Sequence, residues 1–317
     1  MSNALSPPNP VADEGSAAYL QGFALAVFGA VFLSAKAIVA KLLYAQGIDA
    51  VTAIALRMLL ALPAFALVVI LTWNQQPRLT LPDMGRITVI GLLGYYAASM
   101  LDFLGLEYIS AGLERMILFL APSFVLLINR FWFKHQIGHK QWMCLLLAYV
   151  GIVLVFWHDV RLGDQVFLGG SLVLVATFCY ALYLILAGEI IRRVGPLRLV
   201  SLAMVIASIA SLLQYIVLRP WQGLFEQSQQ IWTLSLVNSA VCTVLPIFMT
   251  MVALARIGAS NTSLAAMVGP VSTLFLAWWI LSEPLGAVQL SGTGLVMTGI
   301  LLLGMNRPAA SGGQPAV

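Results

Sequence analysis

The segment Ile109–Trp132, ISAGLERMILFLAPSFVLLINRFW, is apolar over the length of a membrane-spanning helix, with the charged pair Glu114–Arg115 near its start and Pro122 at its centre. The segment Ile257–Ile280, IGASNTSLAAMVGPVSTLFLAWWI, repeats this pattern 148 residues later and places Pro270 where the first segment has Pro122. About 20 apolar residues suffice to cross a bilayer as a helix. The two segments therefore predict a duplicated membrane helix whose hydrogen bonding is interrupted at its centre by proline.

The composition of the whole chain agrees with this prediction. Of its 317 residues, 61% are hydrophobic and 9% are charged, and the mean hydropathy is +0.96. Soluble domains carry about 25% charged residues, so this chain cannot cover a water-facing surface. The apolar runs are continuous rather than alternating, which favours membrane helices over a β-barrel. The net charge of +4 is too small to indicate nucleic-acid binding.

The apolar runs predict an all-α polytopic membrane protein with ten spans. The spans cover approximately residues 19–43, 49–72, 86–106, 109–131, 140–157, 168–190, 198–218, 231–253, 259–281 and 287–305. We expect two inverted five-helix repeats, at 19–157 and 166–305, between a disordered cytoplasmic tail at 1–18 and a cytoplasmic tail at 306–317.

Lysine and arginine predict the orientation of these spans. With a cytoplasmic N-terminus, the inner links hold Arg78, Arg86, Arg130, Lys134, Lys140, Arg192, Arg193, Arg198, Arg256 and Arg307, and the outer links hold Lys41, Arg161 and Arg219. Basic residues concentrate in the cytoplasmic loops of membrane proteins. Both termini are therefore expected in the cytoplasm, and the protein in the cell's inner (plasma) membrane.

The repeat extends over nearly the whole chain without a gap. At the offset of 148 residues, matches occur for Gly22 with Gly170, Gly47 with Gly195, Gly138 with Gly286, Gln141 with Gln289 and Gly151 with Gly299. Because each half holds an odd number of spans, the second half enters the membrane from the opposite side. Such inverted-topology repeats recur in secondary transporters, where they enclose a central site.

The charged residues that four spans place at one depth in the outer half of the membrane all belong to the first half. They are Lys36, Arg57, Asp102, Glu114 and Arg115, and the matching positions of the second half hold Leu184, Val205, Thr250, Thr262 and Ser263. A rise of 1.5 Å per residue places these charges roughly 6–12 Å below the outer ends of four helices. Ionisable groups in a membrane are costly and are a functional-site hypothesis by default.

Neighbouring positions on a helix point about 100° apart, so Glu114 and Arg115 need partners on other helices. We expect Glu114 to pair with Lys36 or Arg57, and Arg115 to pair with Asp102 or Glu107. The functional interpretation is a substrate-binding or gating network with Asp102 or Glu114 as a proton carrier. The alternative is a static set of ion pairs that snorkel towards the outer surface. For Arg57 this structural role is favoured, and Glu107 is expected to be a solvated interfacial residue.

Prolines and aromatic residues are the other candidates for the pocket. Pro122 and Pro270 free backbone carbonyls near mid-membrane, where they line a cavity or only kink the helix. Apolar pockets with a few polar groups suit amphipathic small molecules. The aromatic residues expected to reach the interior are Phe32, Tyr95, Tyr96, Tyr180, Tyr183, Phe248 and Trp278.

The sequence does not indicate an enzyme. It contains no HExxH, GxSxG or Walker A motif. Cys144, Cys179 and Cys242 lie inside apolar runs and are expected to be small apolar fillers rather than disulfides or metal ligands. His135 and His139 lie in a basic link and are expected to be solvated. No catalytic residue, cofactor or metal is therefore predicted.

Several motifs resemble one transporter family. They are FLSAKAIVAK at 32–41, ALRMLLALP at 55–63, GLEYISAGLERMILFLAPSFVLL at 105–127, and the long segment 255–303, which includes the turn Glu283–Pro284 before the last span. Together they resemble an EamA-type member of the drug/metabolite transporter superfamily. Lys134–His135 stands in the first half where that family often has a similar acidic turn.

The resemblance implies ten helices, alternating access and export of small metabolites, such as amino-acid-like compounds, or of drugs. The expected partners are a small-molecule substrate, the lipid bilayer and, for a coupled exporter, protons. No nucleic acid is expected, and the protein is expected to be a monomer or a weak homodimer. The alternatives left open are an uncoupled facilitator, an organophosphate or nucleotide-sugar antiporter, and a membrane partner protein without transport activity.

Overall fold

A computed structural model describes residues 10–74, 78–132, 134, 138–160 and 165–305 of the chain. We number the helices by span. They are α1 (Pro10–Ala45), α2 (Ala50–Thr72), α3 (Leu81–Leu106), α4 (Ala111–Trp132), α5 (His139–Val160), α6 (Val166–Val194), α7 (Pro196–Leu218), α8 (Gln229–Gly258), α9 (Asn261–Leu281) and α10 (Ala287–Met305). A short 3₁₀ helix, Trp221–Leu224, joins α7 to α8.

The described residues confirm the predicted all-α membrane architecture. Within them, nine helices are long and apolar enough to cross a membrane, and α10 contributes a shorter apolar stretch, Ala287–Leu302. Helix α1 begins at Pro10, inside the segment that was expected to be a disordered tail. The remainder of that segment and the predicted tail at 306–317 lie outside the described residues.

The helices pack as a pseudo-two-fold pair of bundles. Helix α1 packs against α8, and its counterpart α6 packs against α3, while α2 pairs with α7 and α5 with α10. The largest buried cluster lies among α1, α2, α3, α7 and α8 and includes Leu43, Leu56, Phe65 and Phe103. We call the two ends of the bundle the Gly47 end and the Gly195 end, because these glycines lie in equivalent turns at opposite ends.

The backbone repeats at the same offset as the sequence. Gly47 and Gly195 have φ angles of 85° and 86°, values that glycine adopts without steric cost. Lys134 and Ser282, also 148 residues apart, have φ angles of 56° and 55°. Left-handed residues are uncommon outside glycine. Their pairing in this chain therefore shows that both halves turn in the same way after their fourth helix.

Both halves also share a π-helical turn. In α3 it spans Leu92–Ala97, and in α8 it spans Ala240–Val244, so the two turns begin 148 residues apart. In the second of them, the Thr243 hydroxyl donates a hydrogen bond of 2.9 Å to the backbone carbonyl of Asn238. Short π-helical turns occur frequently at functional sites. No pattern in the sequence predicts either turn.

The two central prolines follow interruptions of their helices, as the sequence predicts. Helix α4 divides into Ala111–Leu118 and Ala121–Trp132, with Pro122 in the first turn of the second part. Helix α9 is interrupted in the same way at Met267, three residues before Pro270. Since proline has no N–H group, the carbonyl four residues earlier loses its helical donor.

Glycines bring α5 and α10 into close contact. A Cβ atom added at Gly151 would lie 2.7 Å from the Gly292 carbonyl oxygen, and one at Gly299 would lie 2.7 Å from the Cys144 carbonyl oxygen. Each contact maps onto the other by the offset of 148 residues. The two helices thus approach with their backbones in direct contact, an arrangement that small residues permit in membrane proteins.

Replacing Gly151 with alanine is expected to lower the free energy of unfolding by about 1–3 kcal/mol, because the added methyl group overlaps the backbone of α10. The matched control is Gly294→Ala on α10, where an added Cβ meets nothing within 4 Å. Thermal unfolding of the purified protein in detergent measures both variants. Equal melting temperatures for the two would contradict the close contact.

Candidate functional site

Lys36 is the centre of a buried charge cluster formed by three helices of the first half. Its Nζ atom lies 2.5 Å from Asp102 Oδ2 and 3.4 Å from Glu114 Oε1. Asp102 and Glu114 are only 3% and 1% exposed. One ammonium group of α1 therefore binds carboxylates from both α3 and α4.

These pairs partly agree with the sequence predictions. The expected pairing of Glu114 with Lys36 is confirmed. The expected pairing of Arg115 with Asp102 or Glu107 is wrong, because Asp102 pairs with Lys36 and no ion pair of Arg115 is found among the described residues. The reason is angular: Arg115 follows Glu114 on the same helix and points about 100° away from it.

Arg115 instead reaches the interrupted centre of α9. A Cβ atom added at Gly269 would lie 2.5 Å from Arg115 Nη2, so the guanidinium group packs directly on that glycine. The Ser34 hydroxyl of α1 shares its one proton between the Gly269 carbonyl at 2.9 Å and the Ala30 carbonyl at 2.7 Å. Gly269 precedes Pro270 in the chain. The charge cluster of the first half therefore meets the proline interruption of the second half.

Arg57 completes the cluster from α2. It is buried, and its guanidinium carbon lies 4.7 Å from the centre of the Phe103 ring, while Lys36 Nζ lies 5.7 Å from the same ring centre. Cations over aromatic rings are attracted by the ring quadrupole. No carboxylate lies within ion-pair distance of Arg57 in the described part of the chain.

The cluster carries more positive than negative charge. Three cations, Lys36, Arg57 and Arg115, face two carboxylates, Asp102 and Glu114, which leaves a formal surplus of one positive charge when all are ionised. Several buried atoms also lack a hydrogen-bond partner. They are the Nε atoms of Arg57 and Arg115, Oδ1 of Asp102 and both carboxylate oxygens of Glu114. Because buried charge without compensation is costly, the cluster is suited to bind an anion.

Three tyrosines form a second group at the contact of α3 and α6. The hydroxyl groups of Tyr95 and Tyr183 lie 3.0 Å apart, and the Tyr180 ring stacks on Tyr183 with a centroid distance of 5.3 Å. Tyr95 belongs to the π-helical turn of α3. Tyr180 is within electrostatic reach of Arg115, so this group adjoins the charge cluster.

The other predicted pocket residues are divided between interior and surface. Trp278 is 50% exposed and packs on Phe275, itself exposed. It lies on the face of α9 away from buried Thr273 and Ala277, so its place in the pocket stays a prediction. Phe248 stacks on Phe65 in the core. Phe32, Tyr96 and Pro122 are partly exposed, and Pro270 is buried.

Two glutamates cap helices at the Gly47 end. Glu283 Oε1 accepts a hydrogen bond of 3.1 Å from the backbone N–H of Ala111, the first residue of α4. Glu107 Oε1 accepts one of 2.6 Å from the backbone N–H of Ala50, the first residue of α2. Glu107 is thus a helix cap rather than the solvated residue that was expected. Neither cap follows from the sequence pattern, although Glu107 and Glu283 both lie in turns at the Gly47 end.

A cavity of about 280 Å³ lies beside the Glu283 cap. Residues of both halves line it, among them Lys41, Tyr108, Ser110, Leu274, Glu283 and Gln289. Lys41 is within electrostatic reach of Glu283 and of Glu114 below it. The cavity thus lies at the Gly47 end, and the contact between Glu283 and Ala111 joins the two halves at its side.

A second cavity of about 440 Å³ lies at the same end, around the ion pair of Asp49 and Arg219. Arg219 Nη2 donates to Asp49 Oδ2 at 2.6 Å, and Asp49 Oδ1 accepts from the Thr52 backbone at 3.0 Å. Partial burial raises the pKa of Asp49, but the hydrogen bonds from Thr52 and Arg219 outweigh it, so that the pKa lies below its usual value. Neither cavity is lined by Pro122 or Pro270.

Replacing Lys36 with methionine is expected to destabilise the protein by about 3–5 kcal/mol at neutral pH, because two buried carboxylates lose their cation. Thermal unfolding of the purified variant in detergent measures this loss. Lys140→Met, which removes an exposed lysine, is the control. Equal melting temperatures for the two variants would argue against the pairing.

Comparison with known proteins identifies the family of this fold and site. The sequence profile of the EamA-like transporter family matches residues 20–157 and again residues 167–305. Over 284 residues the chain is 27% identical to the uncharacterized transporter YcbK of Bacillus subtilis, with 86% of this chain and 90% of that protein covered. Over 256 residues it is 27% identical to an uncharacterized transporter of Archaeoglobus fulgidus, with 78% and 86% covered.

A solved structure shares the fold. A protein crystal structure with 14% sequence identity covers 90% of this chain and 96% of its own, with a TM-score of 0.61. The family profile matches the two halves separately, which agrees with the repeat seen in the backbone. The chain belongs to the EamA-like transporter family.

Proposed function

We propose that this membrane transporter exports small polar or amphipathic metabolites by alternating access, coupled to protons. The observation that carries the proposal is the Lys36 ammonium group shared by Asp102 and Glu114, next to an excess of buried positive charge. Alternating access is supported by the inverted halves, which recur in secondary transporters. The positive-inside distribution supports an inner-membrane location with both termini in the cytoplasm.

The charge cluster offers a mechanism for coupling. An anionic group of the substrate binds to Lys36 and to Arg115, whose guanidinium group lies at the contact between the halves. Binding at Lys36 takes the cation away from Asp102 or Glu114. A buried carboxylate without its cation is costly and takes up a proton. Release of the substrate restores the ion pair and expels the proton on the same side, so that solute and proton leave together and the outward gradient of the solute drives export.

Access at the Gly47 end would be controlled by Glu283. Its carboxylate belongs to the second half and caps α4 of the first half, directly above Glu114 and Arg115. When the halves separate at this end, the contact between Glu283 and Ala111 has to break. The first half has His135 at the equivalent position, so a carboxylate cap of this kind is available at one end only.

The second candidate is an uncoupled facilitator. The observation that favours it is that Lys36 already has two carboxylate partners, which also describes a static ion-pair cluster. A facilitator needs only a substrate gradient, whereas a coupled exporter responds to a proton gradient. An organophosphate antiporter is less favoured, because the three cations of the charge cluster all come from the first half, while buried Arg198 of α7 lies at the Gly195 end and donates to the Trp73 carbonyl.

In proteoliposomes loaded with a metabolite mixture, a lumen more acidic than the outside medium is expected to increase the efflux of the transported solutes, as measured by mass spectrometry. Asp102→Asn and Glu114→Gln should each reduce this pH response about tenfold or more, because they remove a group that exchanges the proton. Glu226→Gln at an exposed site is the control. Unchanged coupling in both variants would disprove the proton role, and efflux without any pH response would support the facilitator.

Glu283→Ala is expected to open the Gly47 end more often, because α4 loses its cap from the other half. A cysteine introduced at Leu274, in the cavity wall, reports this in a background without the three native cysteines. Its labelling by a membrane-impermeant maleimide should be about fivefold faster than with Glu283 present, as expected for the loss of one hydrogen bond. Glu226→Ala is the control, and equal labelling rates would rule out the gating role.

A further inference from the structure

Ser235 and Asn238 are polar residues on the buried face of α8. Both are 0% exposed, and they share this face with Ile231 and Cys242. Neither the Ser235 hydroxyl nor either amide atom of Asn238 has a hydrogen-bond partner in the described part of the chain. A buried amide without partners is strongly unfavourable, and more so within a membrane. These side chains therefore call for a ligand or for water.

The packing of the fold does not require polar residues at these positions. The equivalent residues of α3, 148 positions earlier, are Ile87 and Ile90, which are 0% and 1% exposed. The same frame is thus built with two isoleucines in the first half and with Ser235 and Asn238 in the second. Ser235 and Asn238 thus stand where the first half has buried isoleucines, and a buried polar group without a partner lowers the stability of the fold.

The polar pair lies beside the helices that carry the buried cations. The first part of α8, Gln229–Ser239, packs against α1 and α2, the helices of Lys36 and Arg57. Cys242, one turn beyond Asn238, is within electrostatic reach of both cations. By helix rise, Asn238 lies about 14 Å and Arg57 about 10 Å from the helix starts at the Gly47 end. The Nε atom of Arg57 has no hydrogen-bond partner either.

We infer that Ser235 and Asn238 form a neutral subsite next to Arg57, which selects organic anions that carry a hydroxyl or amide group beside the carboxylate. This inference rests on the proposed transport function and adds a specificity determinant to it. Arg57, which packs on the same Phe103 ring as Lys36, supplies a further positive charge and donors for the carboxylate that Lys36 binds. The amide of Asn238 offers a donor and an acceptor, and the Ser235 hydroxyl offers both, so a neighbouring hydroxyl or amide of the solute satisfies them.

The chemistry predicts a preference that a charge cluster alone does not give. Arg57 by itself binds any carboxylate, whereas the neutral subsite increases the affinity for anions that also carry a hydroxyl or amide group. A site built to hydrogen-bond a substrate group rejects the analogue that lacks it, because its own polar atoms then remain unpaired. If only water occupies the subsite, the preference does not arise.

Matched pairs of organic anions test the inference. The wild-type protein in detergent is titrated with lactate and propionate, and with malate and succinate, each pair differing by one hydroxyl group, and thermal stabilisation gives the apparent Kd. We expect the hydroxylated member to bind about five- to tenfold more tightly, the value of one or two hydrogen bonds. Asn238→Leu and Ser235→Ala should reduce this ratio towards one while leaving propionate and succinate unchanged.

The controls separate a binding role from a structural one. Ser201→Ala removes another buried hydroxyl without a partner, on α7, and should keep the preference. Without ligand, Asn238→Leu should melt at or above the wild-type temperature, since it removes an unsatisfied amide. The inference is overturned if the wild type does not prefer the hydroxylated anions, if both variants keep the preference, or if both lose stability and all anion binding together.

The same proteins distinguish this inference from the transport function itself. If the wild type exports solutes from proteoliposomes but the variants show the wild-type preference, the subsite is wrong and the transport function stands. If the wild type prefers hydroxylated anions but exports nothing, the transport function is wrong and the subsite stands.

Discussion

The structure depends on the way in which one ammonium group is kept charged in a low-dielectric interior. Lys36 lies between two carboxylates, one from α3 and one from α4, and each of these groups alone would be too costly to bury. Their mutual dependence fixes three helices of the first half with respect to one another. It also means that any solute that binds to Lys36 competes with the protein's own acids.

The backbone is largely symmetric between the two halves, whereas the charged side chains are not. Most backbone features repeat between the halves: two pairs of positive-φ residues, the π-helical turns, the proline interruptions and the glycine contacts of α5 with α10 recur at the same offset. The ionised side chains do not repeat. The symmetric frame supplies two related arrangements of the same bundle, while the asymmetric charges distinguish one side of the central contact from the other.

Much of the fold could be predicted from the sequence, because apolar runs and an ungapped repeat directly reflect the bilayer and the duplication. The pairing of Glu114 with Lys36 followed from their similar depth. The direction of Arg115 did not, because depth says nothing about the angle around a helix. The direction of Trp278 could not be predicted for a related reason: in a membrane an outward-facing ring is as apolar as an inward-facing one. The caps by Glu107 and Glu283 depend on how turns from distant parts of the chain meet.

The π-helical turn of α3 determines the direction in which the Asp102 side chain points. One residue more or less in an α-helix rotates everything beyond it by about 100° around the axis. Asp102 follows the widened turn Leu92–Ala97, so the rotational phase that points its carboxylate at Lys36 is set by a backbone irregularity rather than by any side chain nearby. The twin irregularity sets the phase of Thr250 in α8. A regular helix of the same length would carry the same acid and direct it to a different neighbour.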